Sequence, residues 1–232
     1  MDNRNLQRLR LIARGLQELG EQVVYVGGSV VQLYASDAAQ TDIRPTDDVD
    51  FVVDLSSYKD YVAFCEQLRK KHFHNDTTPG APICRWVFED ERVDVMTRDG
   101  SALGFTNRWY EPGMKKRSLY ELSEGLLIHI LPVTYFVASK LEAVRARGGN
   151  DLRYSHDFED VVYILNYCPE FTHLCETETD GSLRTYLKKQ FANLLCRANL
   201  REEIECALPY GEEDRVDIIR DILSNIVMNK EI

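Results

Sequence analysis

Val23-Val24-Tyr25-Val26-Gly27-Gly28-Ser29 and, after a polar interval, Thr46-Asp47-Asp48-Val49-Asp50-Phe51-Val52-Val53 are the two runs on which the fold turns. β-Branched and aromatic residues suit a pleated, half-buried surface, so Val23–Val26 and Val49–Val53 predict buried strands. Glycines break the first strand, and Ser29 is placed to cap a short helix through Tyr34. Side chains alternate along a strand, so Asp48 and Asp50 project to the same face. Two neighbouring carboxylates repel and raise the pKa of one partner unless a cation lies between them. A divalent ion resolves that cost. Mg2+, with Mn2+ as the alternative, takes hard oxygen ligands and keeps waters that phosphate oxygens can replace.

The Gly27-Gly28-Ser29 turn is the complementary half. Glycine lets backbone approach an anion closely, a following helix offers unpaired N–H groups, and the Ser29 hydroxyl adds a donor. These three residues are therefore the candidate nucleotide-binding turn. Asp94, in Arg92-Val93-Asp94-Val95-Met96, is a third acid in an alternating run, with Val93 and Val95 on one side and Arg92, Asp94 and Met96 on the other. If that run lies beside the Asp48–Asp50 strand, Asp48, Asp50 and Asp94 form one candidate metal set, sufficient for two ions. Taken singly, each motif has a plainer meaning: a solvated strand end, a tight turn, a hairpin surface residue. Their order on expected strand ends is what gives them weight. The stretch does not fit a Ca2+ loop, a Walker loop or a GxGxxG fingerprint.

Outward from this centre, Leu9, Ile12, Leu16 and Leu19 mark one face of a helix over residues 6–19, with Gly20 as its stop. Ser56 or Ser57 starts a second helix to about Lys71, with Tyr61, Phe64, Cys65 and Leu68 as its apolar side. Residues 77–82 read as loop, 84–88 and 92–96 as a hairpin around Glu89-Asp90-Glu91, and 98–117 as less regular. Residues 119–122 and 126–131 suggest another hairpin. From Pro132 the character changes: Val133–Arg147 reads as helix ended by Gly148-Gly149, and Ser155 caps the next, with Asp157, Glu159 and Asp160 near its positive end. Helical segments continue to about Met228, with breaks at Pro169, Gly181 and Pro209-Tyr210-Gly211. The expected class is α+β. A mixed sheet with flanking helices over residues 1–131 is the catalytic domain, and 132–232 is a helical region packed on it.

Bulk properties narrow the functions. The 232 residues, 44% hydrophobic and 28% charged, suit a folded domain or two. No apolar run nears the ~18 residues of a membrane span. Met1-Asp-Asn-Arg-Asn lacks the layout of a secretory signal. Six scattered cysteines without a CxxC pair suit reduced thiols, so a cytoplasmic protein is expected. The net charge of −10 argues against a protein that coats duplex nucleic acid. Lys115-Lys116-Arg117, Arg145 with Arg147, and Arg184 with Lys188 and Lys189 are local basic clusters, each readable as a solvated helix face.

Gly28-Ser29, then Asp48-Val49-Asp50, then Asp94 resembles the signature of the DNA polymerase β-like nucleotidyltransferase superfamily. Trp109-Tyr110, Tyr135-Phe136-Val137-Ala138-Ser139-Lys140-Leu141-Glu142-Ala143, Arg147-Gly148, Asp151 and Ser155-His156-Asp157-Phe158-Glu159-Asp160 add a likeness to its AbiEii/AbiGii toxin-like branch, which includes MenT-type toxins. The resemblance covers Val23 to Tyr167. It implies Asp48 and Asp50 as metal ligands, Ser29 and Lys140 as phosphate contacts, and one acid of the 155–160 segment, Asp157 ahead of Asp160, completing the catalytic set with Asp94. It further implies an NTP substrate, a tRNA 3′ end or other RNA as acceptor, and a cognate antitoxin protein as partner. Two rivals stand beside that reading: a nucleotidyltransferase acting on a small molecule or protein, and a non-catalytic partner-binding protein on the same scaffold. Which NTP is used is not written in these motifs.

Overall fold

Alternation of acidic and apolar residues over Asp48–Phe51 and Val93–Met96 dictates how the first half of the chain is built. The computed structural model describes residues 3–36, 43–55, 57–98, 100, 106–147 and 150–228. It divides into two units, Met1–Val30 with Ile43–Pro132, and Val31–Asp42 with Val133–Ile232. The fold class is α+β, with a mixed seven-stranded sheet and flanking helices.

In the first unit, α1 (Arg4–Leu16) precedes β1 (Val23–Val26), β2 (Asp48–Val53) and α2 (Tyr58–Lys70). Then come β3 (His74–Asn75), β4 (Arg85–Phe88), β5 (Glu91–Thr97), α3 (Tyr110–Lys115), β6 (Ser118–Ser123) and β7 (Leu126–Ile130). The strand order is β3-β4-β5-β2-β1-β7-β6. β2 runs antiparallel to β1 and parallel to β5, and β1 runs parallel to β7. Register follows the alternation. Val49, Phe51 and Val53 share a face with Val93 and Val95 and with Trp86 and Phe88, all buried. This apolar face is covered by helices: Arg69 of α2 lies over the Trp86 ring at 5.2 Å, and Phe88 abuts Gly15 of α1. Each such large side chain taken fully from water contributes ~1.5–3 kcal/mol. The opposite face carries Asp48, Asp50, Asp94 and Arg85.

Several expectations shift in detail. α1 ends at Leu16, short of Gly20, and Gly15 within it packs so closely on Phe88 that a Cβ there would lie 2.6 Å from the ring. Gln17 then takes φ 52° and the chain continues as a 3₁₀ helix over Gln17–Gln22. The segment after the glycines, Gly28–Tyr34, is likewise 3₁₀, and Ser29 sits inside it rather than capping it. The first hairpin turns on two residues, Glu89 and Asp90, both at positive φ, with Phe88 paired to Glu91. α3 falls within the stretch expected to be irregular. Its Pro112 occupies the first turn, where no intrahelical N–H is required, so a residue that reads as a breaker is tolerated. Ser57 caps α2 as expected.

The second unit contains α4 (Val133–Ala146), α5 (His156–Tyr167), α6 (Phe171–Thr177), α7 (Gly181–Leu195), α8 (Leu200–Ala207) and α9 (Arg215–Met228). Ser155 caps α5 through Phe158 N–H, as expected, and Asp180 caps α7, so Gly181 opens a helix. Gly148 and Gly149 lie outside the described residues. Glu203 on α8 accepts from Leu152 N–H and from Arg197, tying a 3₁₀ turn at Leu152–Tyr154 to the bundle. Among the described residues no helix is long and apolar enough to cross a membrane. All six cysteines are free thiols, four of them buried.

Candidate active site

The N-terminal end of β2 is fixed from α1. Asn5 donates to the Arg44 carbonyl at 3.0 Å and accepts from Thr46 N–H at 3.0 Å. Arg8, buried, donates to the Thr46 carbonyl and pairs with Glu91 at 2.5 Å. Thr46 in turn donates its hydroxyl to the Asp48 carbonyl at 3.1 Å. The backbone entering Asp48 is thereby held by four side-chain contacts before the strand begins.

Asp50 pairs with Val26 on β1 and with Asp94 on β5, so those two acids are lateral neighbours on the polar face and Asp48 lies two residues along it. Gly27 closes onto this face. Its φ is +73°, and a Cβ built on it would stand 2.7 Å from Asp50 Cγ and 2.9 Å from Asp50 Cβ. Both conditions demand glycine there: a left-handed backbone, and no side chain between the turn and the carboxylate. The close approach expected of this turn toward an anion is thus realised toward the chain's own Asp50. Gly28 opens the 3₁₀ segment, and Ser29 is fully buried.

Arg85 was not among the expected residues, and it organises the cluster. It faces Asp94 directly across the β4–β5 ladder. Its Nε donates to Asp94 Oδ1 and its Nη2 to Asp94 Oδ2, both at 2.8 Å, and Nη2 also donates to Asp48 Oδ2 at 2.8 Å. Forked guanidinium–carboxylate contacts of this kind are among the stronger charge-assisted hydrogen bonds. They hold the Arg85 guanidinium protonated at any accessible pH. Asp48 is pushed above the ordinary carboxylate range, first by burial and then by Asp94, and Arg85 offsets only part of this. The alternation in Arg85-Trp86-Val87-Phe88 carried the signal. A three-residue turn at 89–91 slips the register by one and sends Arg85 to the apolar face, whereas the two-residue turn brings it opposite Asp94.

The donor chemistry of this face, carboxylates on adjacent strands, suits a hard divalent ion. Asp48 Oδ1 has no hydrogen-bond partner among the described residues, which leaves it a ligating oxygen beside Asp50. Arg85, however, lies where a cation shared by Asp48 and Asp94 would sit. Among the described residues no group of three or more His, Cys, Asp and Glu side chains is arranged to hold a metal. A two-carboxylate site on Asp48 and Asp50 fits the residues present, and a three-carboxylate site does not fit with Arg85 in place.

In the second unit, Lys140 of α4 is buried between two acids of α5. Its Nζ stands 2.7 Å from Asp160 Oδ2 and 3.3 Å from Asp157 Oδ1, and Asp157 Oδ2 also pairs with Arg147. Lys140 and Asp157 are thus brought together, with Asp160 as the nearer partner. His156 is exposed, with Nδ1 3.2 Å from Glu159, consistent with a capping turn. His72 and His74 are exposed, while Trp86 and Trp109 are core. Lys115 pairs with Glu111 and Arg145 with Glu142 on exposed helix faces.

No family model and no curated protein matches the sequence. Among solved structures the chain is similar to an antigenic nucleotidyltransferase-like protein from Paracoccidioides brasiliensis. The identity is 14%, over 87% of this chain and 92% of that one, with a TM-score of 0.49.

Proposed function

We propose that this chain is a Mg2+-dependent nucleotidyltransferase that moves a nucleoside monophosphate from an NTP to a hydroxyl acceptor. The observation that carries the proposal is the closure of Gly27 onto Asp50 while Asp48 shares the same face. A structural turn has no need to sit against a carboxylate, and an acidic strand end in solvent has no need of a glycine at positive φ beside it.

Asp48 and Asp50 are the residues that would hold the ion, which supplies neutralisation of phosphate charge when bound. The chain's own groups do the rest. Val49 and Phe51, fully buried, fix the two acids to a rigid strand. Gly27 packs directly on Asp50, so the turn holds that carboxylate beside Asp48. In the transfer, the acceptor oxygen bonds to the α-phosphorus, and the bond to the β-phosphate bridging oxygen breaks. Pyrophosphate leaves with the electron pair, and the acceptor proton passes to a carboxylate of this face. The sequence resemblance further supports RNA, a tRNA 3′ end, as acceptor, and a toxin role with a cognate antitoxin. Lys140 and Asp157 enter as phosphate contact and catalytic acid through that resemblance alone.

The test supplies each NTP, labelled at the α-phosphate, with Mg2+ and with or without total tRNA. Label is expected in RNA and is expected to be lost in Asp48→Ala. Label in protein or in a small molecule would redirect the acceptor assignment, and no turnover with any acceptor would overturn the enzymatic function.

A further inference from the structure

Arg85 bears on how many cations this face accepts. Both oxygens of Asp94 are taken by one guanidinium fork, each contact 2.8 Å long, and the side chains are only 17% and 13% exposed. The pairing is built into the hairpin, because the two residues are direct cross-strand partners. For Asp94 to ligate a metal it would have to release a largely buried guanidinium, which is costly. Asp48 differs. It gives Arg85 one oxygen and keeps the other without a partner among the described residues. Arg85 Nη1 likewise has no partner among the described residues, so one donor of the fork remains for an anionic oxygen.

We propose that Asp94 is a positioning residue for Arg85, not a metal ligand, and that the Arg85 guanidinium is a fixed internal cation of the acidic face. One divalent ion then binds, at Asp48 and Asp50, and Arg85 takes the place a second ion would have and offers Nη1 to a phosphate oxygen. This rests on the nucleotidyltransferase assignment for the identity of the anion. Its consequence for metal binding can be read without any nucleotide.

The experiment is a Mn2+ titration followed by electron paramagnetic resonance on the full chain, with no NTP present. The wild type is expected to bind one ion. Asp50→Asn should weaken binding at least about tenfold, whereas Asp94→Asn should change it by less than about threefold. Arg85→Gln, which releases Asp48 and Asp94, should tighten binding about tenfold. A merely structural arginine would not produce that gain. Because Asp94→Asn leaves Arg85 short of a partner, the double variant Arg85→Met/Asp94→Leu, which removes both charges together, serves as the folded control and should bind Mn2+ at least as well as wild type. Loss of the ion in Asp94→Asn or in the double variant, in step with Asp50→Asn, overturns the proposal and leaves nucleotidyl transfer standing. So does unchanged or weakened binding in Arg85→Gln. A wild type that binds no Mn2+ overturns both.

Discussion

Arg85 and Asp94 stand opposite each other on adjacent antiparallel strands, and the guanidinium grips both carboxylate oxygens at 2.8 Å. The same Nη2 reaches Asp48 on the next strand. The chain thus supplies one positive charge to an acidic face of three carboxylates and offsets part of their repulsion. Asp48 keeps its second oxygen clear of the fork.

Gly27→Ala should harm function more than folding. The substitution sets a Cβ against Asp50 and forces an L-residue into φ +73°, at a cost of about 1–2 kcal/mol. Displacing Asp50 by even ~1 Å should lower the transfer rate about 100-fold. Thermal melting and single-turnover transfer, measured on the same preparation, separate the two effects.

Asp48→Asn should abolish transfer while raising stability near neutral pH. The folded-state pKa of Asp48 is raised by burial and by Asp94, so its ionisation opposes folding. The penalty is absent below the unfolded value of about 4. It grows as pH rises toward the folded value and is fully present above it. The melting-temperature gap between Asp48→Asn and wild type should therefore widen in favour of the variant from pH 4 to pH 7. A variant less stable than wild type at pH 7 would contradict this.

Glu203 behaves with the opposite sign. Its pKa is lowered, chiefly by the hydrogen bonds from Arg197, so it stabilises the fold above the unfolded carboxylate value, and that stabilisation is lost as pH falls through the lower folded value. Glu203→Gln should cost about 3 kcal/mol at pH 7, since it removes the buried carboxylate charge and one of the two oxygens that accept from Arg197. The difference from wild type should shrink on acidification, as denaturant unfolding at several pH values would show.

Lys140→Met should destabilise the second unit by about 3–5 kcal/mol, because Asp157 and Asp160 are then left buried together. Loss of activity in that variant alone would say little about a phosphate contact. Lys140→Met with Asp160→Asn removes a charge of each sign, so a transfer defect that persists once melting has recovered marks a role in binding.

Much of this arrangement could be read from the chain. The four-residue run Val23–Val26 and the Asp48–Val53 alternation determine β1 and β2, because β-branched residues at period 2 have few other ways to bury. The same alternation set Asp94 apart from Val93 and Val95, and the parallel pairing of β2 with β5, which sequence left conditional, puts it beside Asp50. Arg85 escaped because its face depends on a turn one residue shorter than supposed, and register is a property of the turn rather than of the strand. Asp160 was ranked behind Asp157 as the candidate acid, yet lies nearer Lys140. Residues three apart share a helix face, and sequence does not say which reaches a lysine on another helix.

The reaction proposed for this chain is transfer of the α-phosphoryl with its nucleoside. The most direct measurement incubates the protein with Mg2+ and parallel samples of one NTP labelled at the α- or the γ-phosphate, in the presence of tRNA. α-Label is expected in RNA and γ-label only in released pyrophosphate, with neither product formed by Asp50→Asn. Label transferred from the γ-position, or α-label transfer that survives Asp50→Asn, would contradict it.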